Sequence, residues 1–308
     1  MGVAHPLPAG TATVPPEVPM TLIVGAHPQN PSLSILARRR EAAAALREKG
    51  LAFFIYGAGA QTIPLIQAGV LHLAGTGATP PILAKAAGLS TAVFAIGEPR
   101  PERGGLLVAE ESEIRSLSDL GGRGIGLMPV SWHTQFLAAE LEAAGLAWSD
   151  VRAAEIIPAT AADAFLAGHL DAIVATDPLY AQIAASRPVR ILAKPGAAFS
   201  NRTAFWGPTE ILRTHRDAVR ALIDALVASD AATRADPREA AALLEGVNGH
   251  AAAQWLPALT ARPWGISAPG PDFLTEQQAH ADLFATFGLI PHRIDVSDTV
   301  DSSHFAAA

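Results

Sequence analysis

Short apolar runs alternate with helix-patterned segments along most of the chain, and this alternation is interrupted twice. Apolar runs bounded by turn residues predict buried strands. Buried strands that alternate with helices predict an α/β fold with mostly parallel sheets and flanking helices. The interruptions are the proline- and glycine-rich residues 99–105 and the irregular residues 195–202. After the second interruption the pattern changes to alanine-rich helices, which we interpret as packing elements.

The two interruptions predict that the chain crosses twice between two lobes. Lobe 1 would consist of residues 20–103 plus 204–308, and lobe 2 of residues 104–203, with a two-strand hinge between them. Residues 1–19 contain five prolines and are predicted to be a disordered lead. A cleft between hinged lobes is a natural site for a ligand. Two independent α/β domains in tandem are the alternative.

Composition removes several classes of function. The chain has 22 Lys and Arg against 29 Asp and Glu, a net charge of −7, which argues against nucleic acid because that partner requires a basic face. It has no cysteine, so disulfides and thiolate nucleophiles are excluded. Its ten histidines are scattered without the spacing of metal ligands. No nucleotide-binding or hydrolase motif is present, so we predict no metal, no cofactor and no catalytic residue.

Six loops follow predicted strands at positions where helices begin. Ligands of parallel α/β sheets bind at the carboxyl ends of the strands. Helix starts there expose backbone N–H groups at the positive end of the helix dipole, and these groups can bind an anion without basic side chains. Taken singly, each loop could be an ordinary helix cap. The candidate ligand-binding residues on these loops are His27, Gln29, Ser32, Gly59, Gln61, Thr62, Gly77, Thr79, Ser131, Trp132, His133, Thr134 and Asp177.

Arg202 is a further candidate because it lies in the second interruption. Its guanidinium could bind an anion across the cleft, and a surface salt bridge is the equal alternative. Ser131, His133 and Asp177 could in principle meet as a catalytic triad, but no motif indicates that they do.

Several segments resemble the sulfonate/nitrate/taurine-type solute-binding proteins of ABC importers. The similarity covers residues 20–300 and is clearest in GAGAQ at 57–61, GTGATPP at 75–81, SDLGG at 118–122 and DPLY at 177–180. The resemblance implies a two-lobed type II periplasmic-binding-protein-like fold whose cleft holds a sulfonate-like organic anion. It also implies an ABC permease as partner, and we expect a monomer. The chain departs from the family pattern at Ala78, where an acidic residue is common.

The same fold also hosts cytosolic enzymes, including aromatic sulfinate desulfinases that use a cysteine in the first loop. This chain has Pro28 and Gln29 there, so it cannot use that mechanism. An enzyme acting on a sulfur-containing or other anionic aromatic substrate, without a cysteine nucleophile, is the alternative function. The first residues lack the basic start and apolar core of a signal peptide. We therefore expect a cytoplasmic location if Met1 is the native start, and a periplasmic location if an export signal was trimmed.

Overall fold

The computed structural model describes residues 20–100, 103–195 and 200–305, so the predicted disordered lead at residues 1–19 lies outside the described residues. Eleven strands lie within these ranges. In chain order they are β1 (Leu22–Ala26), β2 (Leu51–Ile55), β3 (Leu73–Gly77), β4 (Thr91–Gly97), β5 (Gly104–Ala109), β6 (Gly124–Leu127), β7 (Arg152–Glu155), β8 (Ala172–Thr176), β9 (Val189–Ala193), β10 (Thr203–Pro208) and β11 (Ile266–Ser267).

Twelve α-helices lie in the same part of the chain. They are α1 (Pro31–Leu36), α2 (Arg40–Glu48), α3 (Thr62–Gln67), α4 (Thr79–Ala86), α5 (Trp132–Ala143), α6 (Pro158–Leu166), α7 (Leu179–Ser186), α8 (Thr209–Thr214), α9 (Arg216–Ala235), α10 (Pro237–Leu243), α11 (Ala252–Ala261) and α12 (Pro271–Thr286). None of these helices is long and apolar enough to cross a bilayer.

The strands form two sheets with flanking helices, which is a two-lobed α/β architecture. One sheet has six strands in the order β11-β4-β10-β3-β1-β2, and the other has five in the order β7-β6-β8-β5-β9. The chain therefore leaves the first sheet after β4 and returns to it at β10.

Both sheets are mixed. As predicted, most of the described strands in each sheet run in one direction, whereas β10 and β11 of the first sheet and β5 of the second run the opposite way. Strand β1 is parallel to β2 and β3, but β10 is antiparallel to both β3 and β4. In the other sheet β6 is parallel to β7 and β8, whereas β5 is antiparallel to β8 and β9. Parallel neighbours require a crossover connection, usually a helix. Strands β5 and β10 instead enter their sheets directly from the other sheet, so they are free to run in the opposite direction.

Three local elements differ from the pattern in the sequence. The pattern predicts one helix over residues 32–49, but the Arg39 backbone is extended and separates α1 from α2. The pattern predicts a strand over residues 70–74, but the Val70 amide donates to the Leu65 carbonyl at 2.9 Å and closes the end of α3, so β3 begins at Leu73. Strand β5 was not predicted because its two leading glycines were assigned to the interruption.

Each sheet has its own apolar core, and a third cluster joins the two layers. Phe94 and Phe205 on the first sheet pack with Leu222 of α9, and strands of the second sheet pack with Phe136 of α5. The joining cluster contains residues of α4, α5 and α12, for example Ile82, Ala138 and Phe284. This contact fixes α5, and the loop that precedes it, against the first sheet's helices.

Candidate functional site

The loops at the strand ends of both sheets meet at one cleft with two compartments. We name the first the amide compartment; its lining includes His27, Gly59, Thr76, Gly77 and Ser131. We name the second the arginine compartment; its lining includes Arg103, His133, Asp177, Trp255 and Arg262. Four residues line both compartments and make them one continuous site: Gln29, Arg100, Met128 and Trp132.

The amide compartment is formed by helix starts from both sheets. Helix α4 begins at Thr79 without a side-chain cap, and because Pro80 and Pro81 have no N–H, the Thr79 amide is the one donor of its first three positions. Helix α5 begins at Trp132, where the Ser131 hydroxyl accepts from the His133 amide at 3.2 Å and donates to the Met128 carbonyl at 2.8 Å. A Cβ on Gly77 would lie 3.4 Å from Trp132 Cβ, so the two loops are in contact across the cleft. The positive ends of two helix dipoles therefore lie beside the same space.

His27 is buried and organises one wall of the amide compartment. Its Nε2 lies 2.9 Å from the Gly75 carbonyl and its Nδ1 lies 2.9 Å from Gln29 Oε1. The same Gln29 oxygen accepts from the Gly59 amide at 3.0 Å. Burial lowers the pKa of His27 to about 4, so the imidazole is neutral at neutral pH. The neutral ring has one N–H, so it donates to one of these two oxygens, and it adds no charge to the site.

Val130, which also lines the amide compartment, has an unusual backbone conformation. Its φ is +48°, in the left-handed region that β-branched residues rarely adopt. Such conformations persist only where the surroundings enforce them, and they cluster at ligand sites. The loop between β6 and α5 therefore holds Val130 in a backbone conformation of raised energy.

The arginine compartment takes its cations from the segments that connect the two sheets and from the region after α11. Arg100 donates to the Asn201 carbonyl at 2.9 Å and to its side-chain oxygen at 2.7 Å. Arg103 forms a 2.9 Å ion pair with Asp177. Arg262 donates to Thr203 Oγ1 at 3.0 Å, and its guanidinium carbon lies 4.9 Å from the centre of the Trp264 ring. These contacts hold three guanidinium groups in place around one compartment.

Two buried N–H donors of the arginine compartment have no acceptor within the described part of the chain. His133 Nδ1 accepts from the Met128 amide at 3.2 Å, so the neutral ring carries its proton on Nε2, which has no partner. Burial lowers the pKa of His133 to about 3, which keeps the ring neutral. Trp255 Nε1 also has no partner. An unsatisfied buried donor is costly, so both groups indicate a missing acceptor.

Eight of the predicted site residues line the cleft. They are His27, Gln29, Gly59, Gly77, Ser131, Trp132, His133 and Asp177. The Ser131 hydroxyl and the His133 imidazole do not form the hydrogen bond of a catalytic triad, because each bonds to Met128 instead.

The other predicted residues are not in the cleft lining, and most have partners elsewhere. The Ser32 hydroxyl donates to Asp230 at 3.3 Å, and the Thr62 hydroxyl lies 2.6 Å from the Tyr56 hydroxyl. The Thr79 hydroxyl donates to Gln135 at 2.8 Å, which ties α4 to α5.

Gln61, Thr134 and Arg202 complete the set outside the lining. Gln61 accepts from the Ala58 amide at 3.1 Å, and Thr134 lies on the first turn of α5. Arg202 forms a 3.2 Å ion pair with Asp272, which is the surface salt bridge that the sequence left open.

Comparison with known proteins identifies the relatives of this chain. A family model described as NMT1/THI5 like matches residues 47–240. The chain belongs to this NMT1/THI5-like family. It is 30% identical over 258 residues to an Escherichia coli K12 protein named "Putative aliphatic sulfonates-binding protein", covering 82% of this chain and 80% of that protein.

Crystal structures of two proteins are similar to this NMT1/THI5-like chain over most of its length. One is the periplasmic aliphatic sulphonate binding protein SsuA from Escherichia coli, with a TM-score of 0.81, 25% identity and 92% of each chain covered. The other is the alkanesulfonate-binding protein SsuA from Xanthomonas axonopodis pv. citri bound to MOPS, with a TM-score of 0.80 and 26% identity, covering 92% of this chain and 98% of that one. The predicted family and two-lobed fold are confirmed.

Several cleft residues of this family member were missed from the sequence. Arg100 and Arg103 lie in the first interruption, which gave only a composition signal. Trp255 and Arg262 lie in and after α11, which was interpreted as a packing element. The sequence could have indicated Arg100 and Arg103, because they lie in the first interruption just as Arg202 lies in the second. No pattern in the sequence indicated that α11 reaches the cleft.

Proposed function

We propose that this protein is a solute-binding protein that captures a sulfonate-like organic anion between its lobes for ABC-type import. One observation carries the proposal: helix starts from both sheets, neutral buried imidazoles and three guanidinium groups line a single cleft. A sulfonate is ionised across the physiological pH range and only accepts hydrogen bonds. It therefore suits a site rich in N–H donors. The sulfonate-binding names of the similar proteins support the same ligand class.

The proposed mechanism is capture by closure. Residues of the first sheet's loops, such as Gln29 and Gly59, and of the second sheet's loops, such as Ser131 and Trp132, would touch the ligand together only when the lobes are closed. A ligand that gains contacts in one state shifts the population toward that state. The lobes in this proposal are residues 20–103 plus 204–308 and residues 104–203, with a hinge formed by the two crossings. The remaining cleft-lining candidates, His27, Gly77, His133 and Asp177, complete the contact set.

The proposal extends to partner and location. A closed, loaded monomer would present its ligand to an ABC permease, and the location would be periplasmic, as stated for the Escherichia coli structure. Release to a permease requires an affinity that opening of the lobes can reverse, which favours many N–H contacts over a covalent or metal-held ligand. Among the described residues no group of three His, Asp or Glu side chains lies close enough together to hold a metal ion.

The test is isothermal titration of the full chain with propane-1-sulfonate, butane-1-sulfonate, benzenesulfonate and nitrate. Butanoate serves as the matched carboxylate control. The buffer must contain no sulfonate, because a similar protein is described as bound to MOPS. We expect micromolar or tighter binding of at least one sulfonate and no heat with butanoate. Absence of binding across the sulfonates, or equal binding of butanoate, would refute the assignment.

A further inference from the structure

Resting on the proposed function, we infer that the preferred ligand carries a second acidic group, which the arginine compartment binds while the amide compartment holds the sulfonate. The inference names a substrate class: sulfonates with a carboxylate or another anion at the far end. It also excludes a class, because ω-amino sulfonates would place an ammonium group among guanidinium groups.

The first argument is the charge of the lining. Three of the described residues that line the arginine compartment are arginines, and Asp177, paired with Arg103, is the single carboxylate among those lining residues. Asp230, which is outside this lining, acts electrostatically on Arg262, and burial raises the pKa of Asp230 to about 6. A simple alkyl tail in this compartment would leave the guanidinium groups beside apolar atoms.

The second argument is the pair of unmatched donors, which is independent of the charges. His133 Nε2 and Trp255 Nε1 belong to side chains that are 2% and 4% exposed and that line this compartment. Their hydrogens need acceptors, and an alkyl chain or an ammonium group has none. A carboxylate has two oxygens that accept several hydrogen bonds, so one such group can satisfy both donors and a guanidinium.

The third argument is the shape of the cleft. The two compartments share Gln29, Arg100, Met128 and Trp132, so a single ligand can extend from one into the other. Met128 and Trp132 supply an apolar wall between the two polar ends, which matches the carbon segment of a bifunctional anion.

The experiment compares matched ligands on the wild-type chain by isothermal titration. The pairs are 3-sulfopropionate with propane-1-sulfonate, 4-sulfobutanoate with butane-1-sulfonate, and 4-sulfobenzoate with benzenesulfonate; 3-aminopropane-1-sulfonate is the cationic counterpart. We expect at least one acid to bind about tenfold or more tightly than its partner, the factor of one charge-assisted hydrogen bond. We expect 3-aminopropane-1-sulfonate to bind more weakly than propane-1-sulfonate.

Two variants assign the effect to the arginine compartment. Trp255→Phe keeps an aromatic ring and removes the N–H, and Arg262→Gln removes a charge; each should reduce the ratio of the affinity for the acid to the affinity for its simple partner. Arg293→Gln, at an exposed arginine paired with Asp282 outside the cleft, should leave the preference unchanged.

The outcomes separate the two proposals. If the simple sulfonates bind and no acid in the panel exceeds its partner, the second-anion inference is wrong and the proposed function stands. If 3-aminopropane-1-sulfonate binds best, the arginine compartment prefers a cation to an anion and the inference is wrong. If neither sulfonates nor sulfonate acids bind, both proposals fail. The wild-type comparison decides these cases even if a variant does not fold.

Discussion

The amide compartment and the arginine compartment both offer N–H donors to an anion, but the donors have different origins. In the amide compartment they come largely from backbone at helix starts, beside small residues such as Gly59 and Gly77. In the arginine compartment they come from side chains that distant segments bring together, such as Arg103 and Arg262. Backbone donors are fixed by the fold, whereas side-chain donors can change while the fold is kept. The difference suggests a constant end for the sulfonate and an adjustable end for the rest of the ligand.

The largest expected effect comes from breaking the amide compartment at Gly77. The Cβ of a substituted residue would already lie 3.4 Å from Trp132 Cβ, so the remaining atoms of Gly77→Leu must enter the space between the loops. We expect binding of propane-1-sulfonate to fall below detection by titration calorimetry. The side chain blocks the compartment or holds the lobes apart, and either event removes contacts from both lobes at once.

A matched substitution controls for the general cost of losing a glycine. A Cβ on Gly121 would have no atom within 4 Å, so Gly121→Leu should leave affinity unchanged. Near-wild-type binding by Gly77→Leu would mean that the amide compartment is not where the sulfonate lies.

The pH dependence of the free energy of unfolding tests the ionisation of Asp230, the carboxyl group next to Arg262. Burial raises its pKa in the fold to about 6 from an ordinary 3.8, so the folded state resists its ionisation. The contribution of Asp230 to the stability of the wild type should therefore fall as pH rises from about 4 to about 6, by on the order of 3 kcal/mol. The Asn side chain of Asp230→Asn cannot ionise. The difference in free energy of unfolding between this variant and the wild type should therefore increase by that amount, in favour of the variant, from pH 4 to pH 7. Urea unfolding at several pH values measures it.

The exposed Asp163 provides the control, since Asp163→Asn should not alter the pH profile. A profile for Asp230→Asn that runs parallel to wild type would show that Asp230 is solvated in the fold.

The two buried histidines, one in each compartment, have the opposite pH dependence. Burial lowers the pKa of His27 to about 4 and of His133 to about 3, so the unfolded chain takes up protons below pH 6.5 while the folded chain does not. Stability is therefore lost as pH falls below 6.5, by about 2 kcal/mol per histidine at pH 5. His27→Asn and His133→Asn should each remove about that much of the loss between pH 7 and pH 5, measured by urea unfolding. His169→Asn, at an exposed position, should remove none.

An equal loss in all three variants would place the acid sensitivity outside the cleft. A loss removed by only one of the two cleft variants would show that the other compartment is open to water in solution.

The amide compartment and the arginine compartment also differ in how far the sequence predicts them. Residues such as His27, Gly59 and Ser131 come directly after strands, so their position at the sheet edge follows from the α/β alternation alone. Ser32 and Thr62 have the same sequence context but lie about a helical turn further on, where their hydroxyls bond to Asp230 and Tyr56. Alternation specifies the loop, whereas the side-chain direction within it depends on packing.

The arginine compartment could not be predicted because its parts share no local pattern. Trp255 lies on a helix after the strands of the second sheet, and its place beside Asp177 depends on how α10 and α11 pack against each other and the first sheet. The direction of β5 and β10 was missed for a related reason. Periodicity distinguishes strands from helices, but it does not give the direction in which a strand enters a sheet after a crossing.

The smallest expected effect compares two helix caps, one in the cleft and one outside it. Ser131 caps α5, and Asp236 caps α10 by accepting from the Arg238 and Glu239 amides at 3.1 and 3.0 Å. Loss of either cap should reduce the free energy of unfolding by about 1 kcal/mol. Ser131→Ala should also weaken propane-1-sulfonate binding several-fold, because the hydroxyl joins the Met128 carbonyl to the first turn of α5 and so orients the donors there. Asp236→Ala should leave affinity unchanged. If Ser131→Ala loses stability but keeps full affinity, the amides at the start of α5 do not contact the ligand, and the amide compartment acts through α4 and the Gly59 loop alone.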